Sequence, residues 1–141
     1  MVNQIYKLDS SRIDSPRIHR FRDYWRAKRP TPDAIPLRAD FDPAELRELL
    51  PNILIAEVQR DPLGFRDRLV GTRIVEFNNL YFTGLYLGTI GWQEEQKLID
   101  AFADFAASGA PLCGFCTWTL KSGGIGKCEF GVFSLATIGG R

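Results

Sequence analysis

The sequence predicts an α+β domain, an antiparallel sheet with helices on one face. Residues 53–72 have the pattern of two strands joined by a tight turn, and residues 112–137 that of a second hairpin. Helical patterns precede and separate the two hairpins, an order typical of this arrangement. With 141 residues, 45% hydrophobic and 25% charged, the chain is long and apolar enough for one globular domain.

The chain divides into a basic helical arm, residues 1–35, and the domain proper, residues 36–141. Residues 1–14 are expected to be a loose tail. Ser15 followed by Pro16 predicts a helix start, because serine caps helices and proline suits the first turn. The helix should end near Arg29, before Pro30. Its apolar stripe is predicted to pack on the body or on a second copy of the chain, and it comprises Ile18, Phe21, Tyr24 and Trp25.

The first half of the domain begins with a predicted helix. Asp42-Pro43-Ala44-Glu45 has a cap, a first-turn proline and an acid at the third helical position, and Pro51 should stop the helix. Ile53–Val58 is then a buried strand. Asp61-Pro62-Leu63-Gly64 fits a type I turn, and Phe65–Thr72 forms the returning strand.

The second half is predicted to hold the longest domain helix. Residues 73–80 should be a short helix. Gln93–Ser108 carries an apolar stripe that includes Phe102, and Gly109 ends it. Leu112–Leu120 and Lys127–Thr137 are two strands joined by a glycine-rich hairpin.

The charge and hydropathy of the chain limit the classes of partner that it is expected to bind. The net charge of +1 gives no case for nucleic acid, but residues 1–38 hold nine Lys and Arg against four Asp and Glu. That surplus is interpreted as a solvated helix face, with a docking arm for an acidic partner or a membrane surface as the alternative. No apolar run reaches the roughly 20 residues of a membrane span, and no signal-peptide pattern opens the chain. A cytoplasmic location is expected, with the three cysteines reduced.

The segment order and several short motifs resemble a PAS-like family of small, mostly uncharacterised bacterial proteins. The matching residues are Tyr24-Trp25, Pro36-x-Arg38, Asp42-Pro43, Leu50-Pro51, Phe65-Arg66-x-Arg68-Leu69-Val70-Gly71-Thr72-Arg73, Thr83-Gly84 and Gly109-x-Pro111. The resemblance implies a five-stranded antiparallel sheet under short helices, and a module that binds small ligands, dimerises and signals to partners. The fifth, central strand has no counterpart before Arg141. Truncation is the favoured explanation, and the arm or a second protomer could instead fill the place.

A ligand pocket is predicted from arginines in the family-like motif and from aromatics that could line an apolar cavity. The same aromatics would serve an ordinary core, and the arginines could be surface charge. The tentative ligand-binding residues are Arg68, Arg73, Phe77, Tyr81, Tyr86, Phe102, Phe115 and Trp118.

Catalytic and metal chemistry is not predicted. Cys113 and Cys116 are three apart on a predicted strand and should point to opposite faces, while Cys128 is expected to lie away from Cys116. His19 lacks a partner acid and nucleophile. Histidine-ligated haem and covalently bound flavin, both known in PAS domains, lose support because the long helix lacks histidine and Asn78-Asn79-Leu80 lacks cysteine.

The expected function is therefore a sensory or regulatory module that is not an enzyme, with no metal and an unknown cofactor. It would bind a small ligand or a signalling protein and act through a homodimer or that partner. The alternative is a pure protein-interaction domain with a filled core. A small thiol-dependent enzyme is a third, weaker interpretation.

Overall fold

The computed structural model describes residues 4–78, 82–91, 95–119 and 122–137, and it has the predicted α+β fold. Its strands and helices, in chain order, are β1 (Gln4–Leu8), α1 (Pro16–Lys28), β2 (Leu54–Gln59), β3 (Gly64–Val70), α2 (Thr72–Asn78), α3 (Glu95–Ser108), β4 (Leu112–Thr119) and β5 (Ile125–Val132). The predicted strands and long helices are thus present, with their ends shifted by a few residues.

The described strands form two antiparallel sheets. One has the order β1-β4-β5, and the other is the β2-β3 hairpin. The expectation of a loose tail is wrong for residues 4–8, because β1 pairs with β4 along its whole length, from Gln4 opposite Thr117 to Leu8 opposite Cys113. Backbone hydrogen bonding to an edge strand, which leaves fewer N–H and C=O groups unpaired, gives this short segment its structure.

No described residue occupies the place of a central fifth strand. β1 lies on the side of β4 opposite to β5, so the arm does not fill that place. The chain after β5 turns instead toward residues 36–38: Ala136 N–H donates to the Pro36 carbonyl at 2.9 Å, and Arg38 N–H donates to the Ala136 carbonyl at 2.7 Å.

The predicted helix at residues 42–50 is wrong. Asp42 does cap the segment, since its Oδ1 accepts from Ala44 N–H at 2.9 Å, but the chain forms successive turns that end in a 3-10 turn at Leu50–Asn52. Its N–H groups bond mainly to carbonyls three residues back, as in Glu45 to Asp42, Leu46 to Pro43 and Leu49 to Leu46, so a regular α-helical ladder does not form. Glu45 does not complete a capping box, because its carboxylate accepts a hydrogen bond from the Tyr24 hydroxyl at 3.0 Å.

The β2-β3 hairpin differs from the prediction in two details. Its turn is not type I, since Asp61 has a φ of +59° and the Asp61-Pro62 peptide is cis. Near the other end, Ile55 pairs with Leu69 and Ala56 with Asp67, so Arg68 is an extra, bulged residue. The bulge ends the strict alternation of faces: Asp67 is buried and Leu69 is 43% exposed.

Helix α1 packs against its own chain through the stripe predicted from sequence. Trp25 is buried with Phe41, Leu46 and Leu49, and the rings of Phe21 and Tyr24 pack on this cluster. The Trp25 indole N–H donates to the Ser134 carbonyl at 2.7 Å. Ile18 lies close to Gly131, where an added Cβ would meet its side chain at 3.0 Å.

The stripe therefore packs on the body of the same chain, one of the two partners predicted for it. The residues after β5 and the 41–49 segment contact α1 on that side. A homodimer, and a part of these four residues in it, stays a prediction.

We expect two substitutions of Trp25 to separate its two roles. Trp25→Ala removes a buried ring and should lower the free energy of unfolding by about 3–5 kcal/mol. Trp25→Phe keeps much of the ring packing but leaves the Ser134 carbonyl without its donor, and should cost less, about 1–3 kcal/mol. Urea denaturation followed by circular dichroism measures both. Midpoints equal to that of the parent would contradict the packing described here.

Candidate functional site

The two arginines predicted to bind a ligand lie at the surface. Arg68, the bulged residue of β3, forms an ion pair with Glu57 of β2 at 3.3 Å, and both side chains are about half exposed. Arg73 of α2 is exposed as well. The positions of Arg68 and Arg73 are thus those of ordinary charged surface residues.

Two of the predicted aromatics lie around the β2-β3 hairpin. The Phe102 ring of α3 meets the buried Phe65 ring of β3 edge to face, with centroids 5.5 Å apart. Tyr86 is 39% exposed, and the Arg66 guanidinium lies 5.9 Å from its ring centroid.

Phe115 lies on the opposite face of the sheet from α3. It pairs with Tyr6 and stacks on that ring at 4.6 Å, with the Lys127 ammonium 4.2 Å from its own centroid. Lys7, one residue on from Tyr6 and therefore on the other face, forms an ion pair with Asp104 of α3. Phe115 and Phe102 therefore do not line one cavity. Tyr81 and the side chains of Phe77 and Trp118 lie outside the described residues.

A buried carboxyl group, not singled out from the sequence, faces the α3 side of the β2-β3 hairpin. Asp67 is 6% exposed and shares a strand face with Phe65. Its backbone is held by the 84–85 loop, but no described residue hydrogen-bonds to its carboxylate. Burial raises the pKa of Asp67 to about 6, because the apolar surroundings disfavour the charged form.

A cleft of about 320 Å³ lies between α1 and the three-stranded sheet. Two arginines of α1, Arg22 and Arg26, line one side of the cleft. The other lining residues are Leu8, Asp9, Pro111, Cys113 and Phe133. The arginines are one helical turn apart and project on the same side of α1. The cleft therefore combines an apolar floor with two positive charges.

One N–H group of the Arg22 guanidinium makes a hydrogen bond to a neighbouring side chain, and another makes none. Its Nη2 donates to His19 Nδ1 at 3.0 Å, and its Nε is buried without a hydrogen-bond partner, 3.7 Å from the Asp23 carboxylate. His19 Nε2 hydrogen-bonds to the Ile13 carbonyl. Because a carbonyl only accepts, Nε2 carries the proton and Nδ1 is free to accept from Arg22. His19, expected to be a plain surface residue, thus orients an arginine of the cleft.

Among the described residues that line this cleft, one is an acid, Asp9, and one of its carboxylate oxygens already accepts hydrogen bonds. Asp9 Oδ1 accepts from both the backbone N–H and the hydroxyl of Ser11, at 3.0 Å each. The backbone hydrogen bond from Ser11 is the main cause that lowers the pKa of Asp9.

Sequence reasoning missed this site because one wall depends on β1, which was expected to be a loose tail. The basic surplus of residues 1–38 was its visible signal, together with the i, i+4 spacing of Arg22 and Arg26.

The three cysteines are free thiols, and one expectation about them is wrong. Cys113 and Cys116 point to opposite faces of β4 as predicted, but Cys116 pairs directly with Cys128 across β4 and β5. The hairpin turn is shorter than expected, and β5 begins at Ile125 rather than Lys127, which moves the register. Burial raises the pKa of Cys116 to about 11, and it raises the pKa values of Cys113 and Cys128 as well.

Among the described residues, no group of three or more His, Cys, Asp or Glu side chains is placed to hold a metal ion. Within those same ranges, no helix has the length and apolar character needed to cross a membrane.

Comparison with known families agrees with the fold. A family model described as a PAS domain matches residues 13–103, well over half of the chain. The chain therefore belongs to the PAS domain family, a class of sensory and regulatory modules. The match begins inside the arm and includes α1, which agrees with the packing of that helix on the domain. Neither a curated protein nor a solved structure matches the chain.

The buried carboxyl group gives a pH-dependent prediction. The pKa of Asp67 is higher in the folded protein than in the unfolded chain, so the folded state holds the proton more tightly. Stability is therefore greatest below about pH 4 with respect to this group, and it falls as the pH rises toward about 6. We expect Asp67→Asn to raise the melting temperature at pH 8 and to have little effect at pH 4.

Thermal melts at both pH values check this, with Asp33→Asn, at an exposed position, as the matched control. Equal effects of Asp67→Asn at pH 4 and pH 8 would show that the carboxyl does not titrate with an elevated pKa.

Proposed function

We propose that this PAS domain is a sensory module that binds a small organic acid in the cleft between α1 and the three-stranded sheet. The observation that carries the proposal is the lining of the cleft, which places two arginines of α1, Arg22 and Arg26, beside apolar side chains of the sheet and of the segment after it. Clefts that combine apolar surface with a few charged groups are typical of small-molecule sites.

The surroundings favour a carboxylate with an apolar body. Guanidinium groups bind carboxylates through paired hydrogen bonds, and Arg26 adds a second positive charge at the rim. Leu8, Cys113 and Phe133 offer apolar surface below them. The volume of about 320 Å³ is at the lower end of small-molecule sites.

Helix α1 is suited to pass the signal on. It forms one wall of the cleft, and its N-terminus is held by Glu129 of β5, whose carboxylate accepts from the N–H groups of Asp14 and Ser15 at 3.0 and 2.8 Å. A ligand that draws Arg22 and Arg26 inward would therefore change how α1 sits on the sheet. A signalling protein or a second copy of the chain that contacts α1 would sense this change.

One observation favours a second candidate, a protein-interaction domain with a filled core. The Phe102 ring of α3 contacts the Phe65 ring of the β2-β3 hairpin, and Phe82, in the loop that follows α2, is only 1% exposed. A domain of that kind would have no ligand response in the α1 cleft.

Titration calorimetry with benzoate, and with benzyl alcohol as a neutral probe of the same shape, tests the proposal. We expect benzoate to bind and benzyl alcohol to bind at least tenfold more weakly. Arg22→Gln and Arg26→Gln should each weaken benzoate binding, by about tenfold or more for a lost charged hydrogen bond. Arg17→Gln, at an exposed position of the same helix, is the matched control.

Two results would overturn the proposal. Binding that survives both arginine substitutions would place the acid elsewhere. The second result is that neither benzoate nor inorganic phosphate, each at about 10 mM, gives binding heat or shifts the melting temperature. This concentration is roughly that of weak, millimolar affinities. The filled-core interaction domain would then be the better description.

A further inference from the structure

Cys116 and Cys128 are cross-strand neighbours on the face of the sheet that also carries Ile5. Directly opposite residues of antiparallel strands have Cα atoms about 4.5–5.5 Å apart. Disulfides span Cα separations of about 4.4–6.8 Å, so the spacing of directly opposite residues falls within the range that a disulfide can bridge. The remaining thiol, Cys113, is on the opposite face and pairs with Gly131 and Leu8.

We propose that Cys116 and Cys128 are a redox-responsive modification site that forms an intramolecular disulfide across β4 and β5 under oxidation by a peroxide. One cysteine sulfur attacks a peroxide oxygen, the O–O bond breaks, and the product is a sulfenic acid with the release of one water from hydrogen peroxide. The second thiol then attacks the sulfenic sulfur, the S–S bond forms, and a second water leaves. Two thiols lose two protons and two electrons, and one hydrogen peroxide is reduced to two waters.

The environment makes the first oxidation step slow. Both thiols are half-buried, and burial keeps their pKa values high, so little thiolate is present at neutral pH. Oxidation then requires sustained exposure rather than a brief pulse. Once one sulfur is oxidised, the second lies opposite it in a fixed register, so the closing step is intramolecular and needs no diffusion.

The bridge would act on the strand that holds the arm. Glu129 follows Cys128 on β5 and accepts hydrogen bonds from Asp14 and Ser15 at the start of α1. The same strand leads to Ser134, whose carbonyl accepts from Trp25. A disulfide that fixes β5 on β4 therefore restrains the attachment of α1, independently of any ligand in the arginine cleft.

Mass spectrometry of the full chain tests this. Native protein is incubated with excess hydrogen peroxide at pH 8, the peroxide is removed, and the chain is then unfolded in denaturant that contains the alkylating agent, so that the buried Cys113 also reacts. We expect a mass lower by about 2 Da before alkylation and one alkylated thiol instead of three. Trypsin should give a linked pair of peptides, residues 98–121 and 128–141, and fragmentation should place the bond at Cys116 rather than Cys113.

Three matched variants complete the test. Cys116→Ala and Cys128→Ala should each abolish the mass loss, whereas Cys113→Ala should retain it. In the parent, the bridge should raise the melting temperature by about 10 °C, and dithiothreitol should reverse the rise. Because the parent alone supplies the mass and peptide evidence, a variant that fails to fold does not weaken the test.

The proposal is overturned by any of three results. In the first, the oxidised parent still has three thiols that can be alkylated. In the second, its mass rises by about 16 or 32 Da because cysteine sulfur gains oxygen and no bridge forms. In the third, every disulfide found joins two chains. A Cys113–Cys128 or Cys113–Cys116 bond in the peptide map would likewise contradict the register described for β4 and β5.

Discussion

The burial of Trp25 is the contact on which the rest of the arm depends. Its ring joins α1 to Phe133, with centroids 5.5 Å apart, and its indole N–H joins α1 to the Ser134 carbonyl. On the other side it belongs to the cluster with Phe41, Leu46 and Leu49. A helix of 13 residues is marginal in water by itself, so this contact is what makes α1 a rigid wall. The arginine cleft exists only because that wall is fixed against the sheet.

Local signals in the sequence predicted the regular elements well, because each has a local cause. Ser15 caps α1, with its hydroxyl accepting from Ile18 N–H at 3.4 Å, and the apolar runs of β2 and β4 are visible in single windows. The features that the sequence did not reveal depend on contacts far along the chain. β1 is a strand only because β4 offers it an edge, and the turns at residues 42–50 replace a helix whose local signals, a cap and a first-turn proline, were all present.

The candidate sites also combine features visible in local sequence with features that depend on contacts far along the chain. The aromatic residues were visible, but their faces depend on register: pairing with Tyr6 puts Phe115 on the side away from α3, and the bulge at Arg68 separates Leu69 from Asp67. The opposition of Cys116 and Cys128 also depends on where the hairpin turns. The observed register of β4 on β5 differs from the expected one by three or four residues, and this difference was enough to hide the pair. The family resemblance, in contrast, follows from motifs along the chain and could be identified from sequence alone.

The pairing of β1 with β4 ties the beginning of the described chain to its last quarter. Asp14 meets Glu129, 115 residues away, and Trp25 meets Ser134, 109 residues away. Closing loops of this length has an entropic cost, and such contacts form slowly compared with local ones. During synthesis α1 can meet Phe41, Leu46 and Leu49 early, but its contacts with Phe133 and Ser134 form only after β5 and the residues that follow it have emerged. The attachment of the arm is therefore completed late, and until then part of its apolar stripe is open to aggregation or to capture by a chaperone.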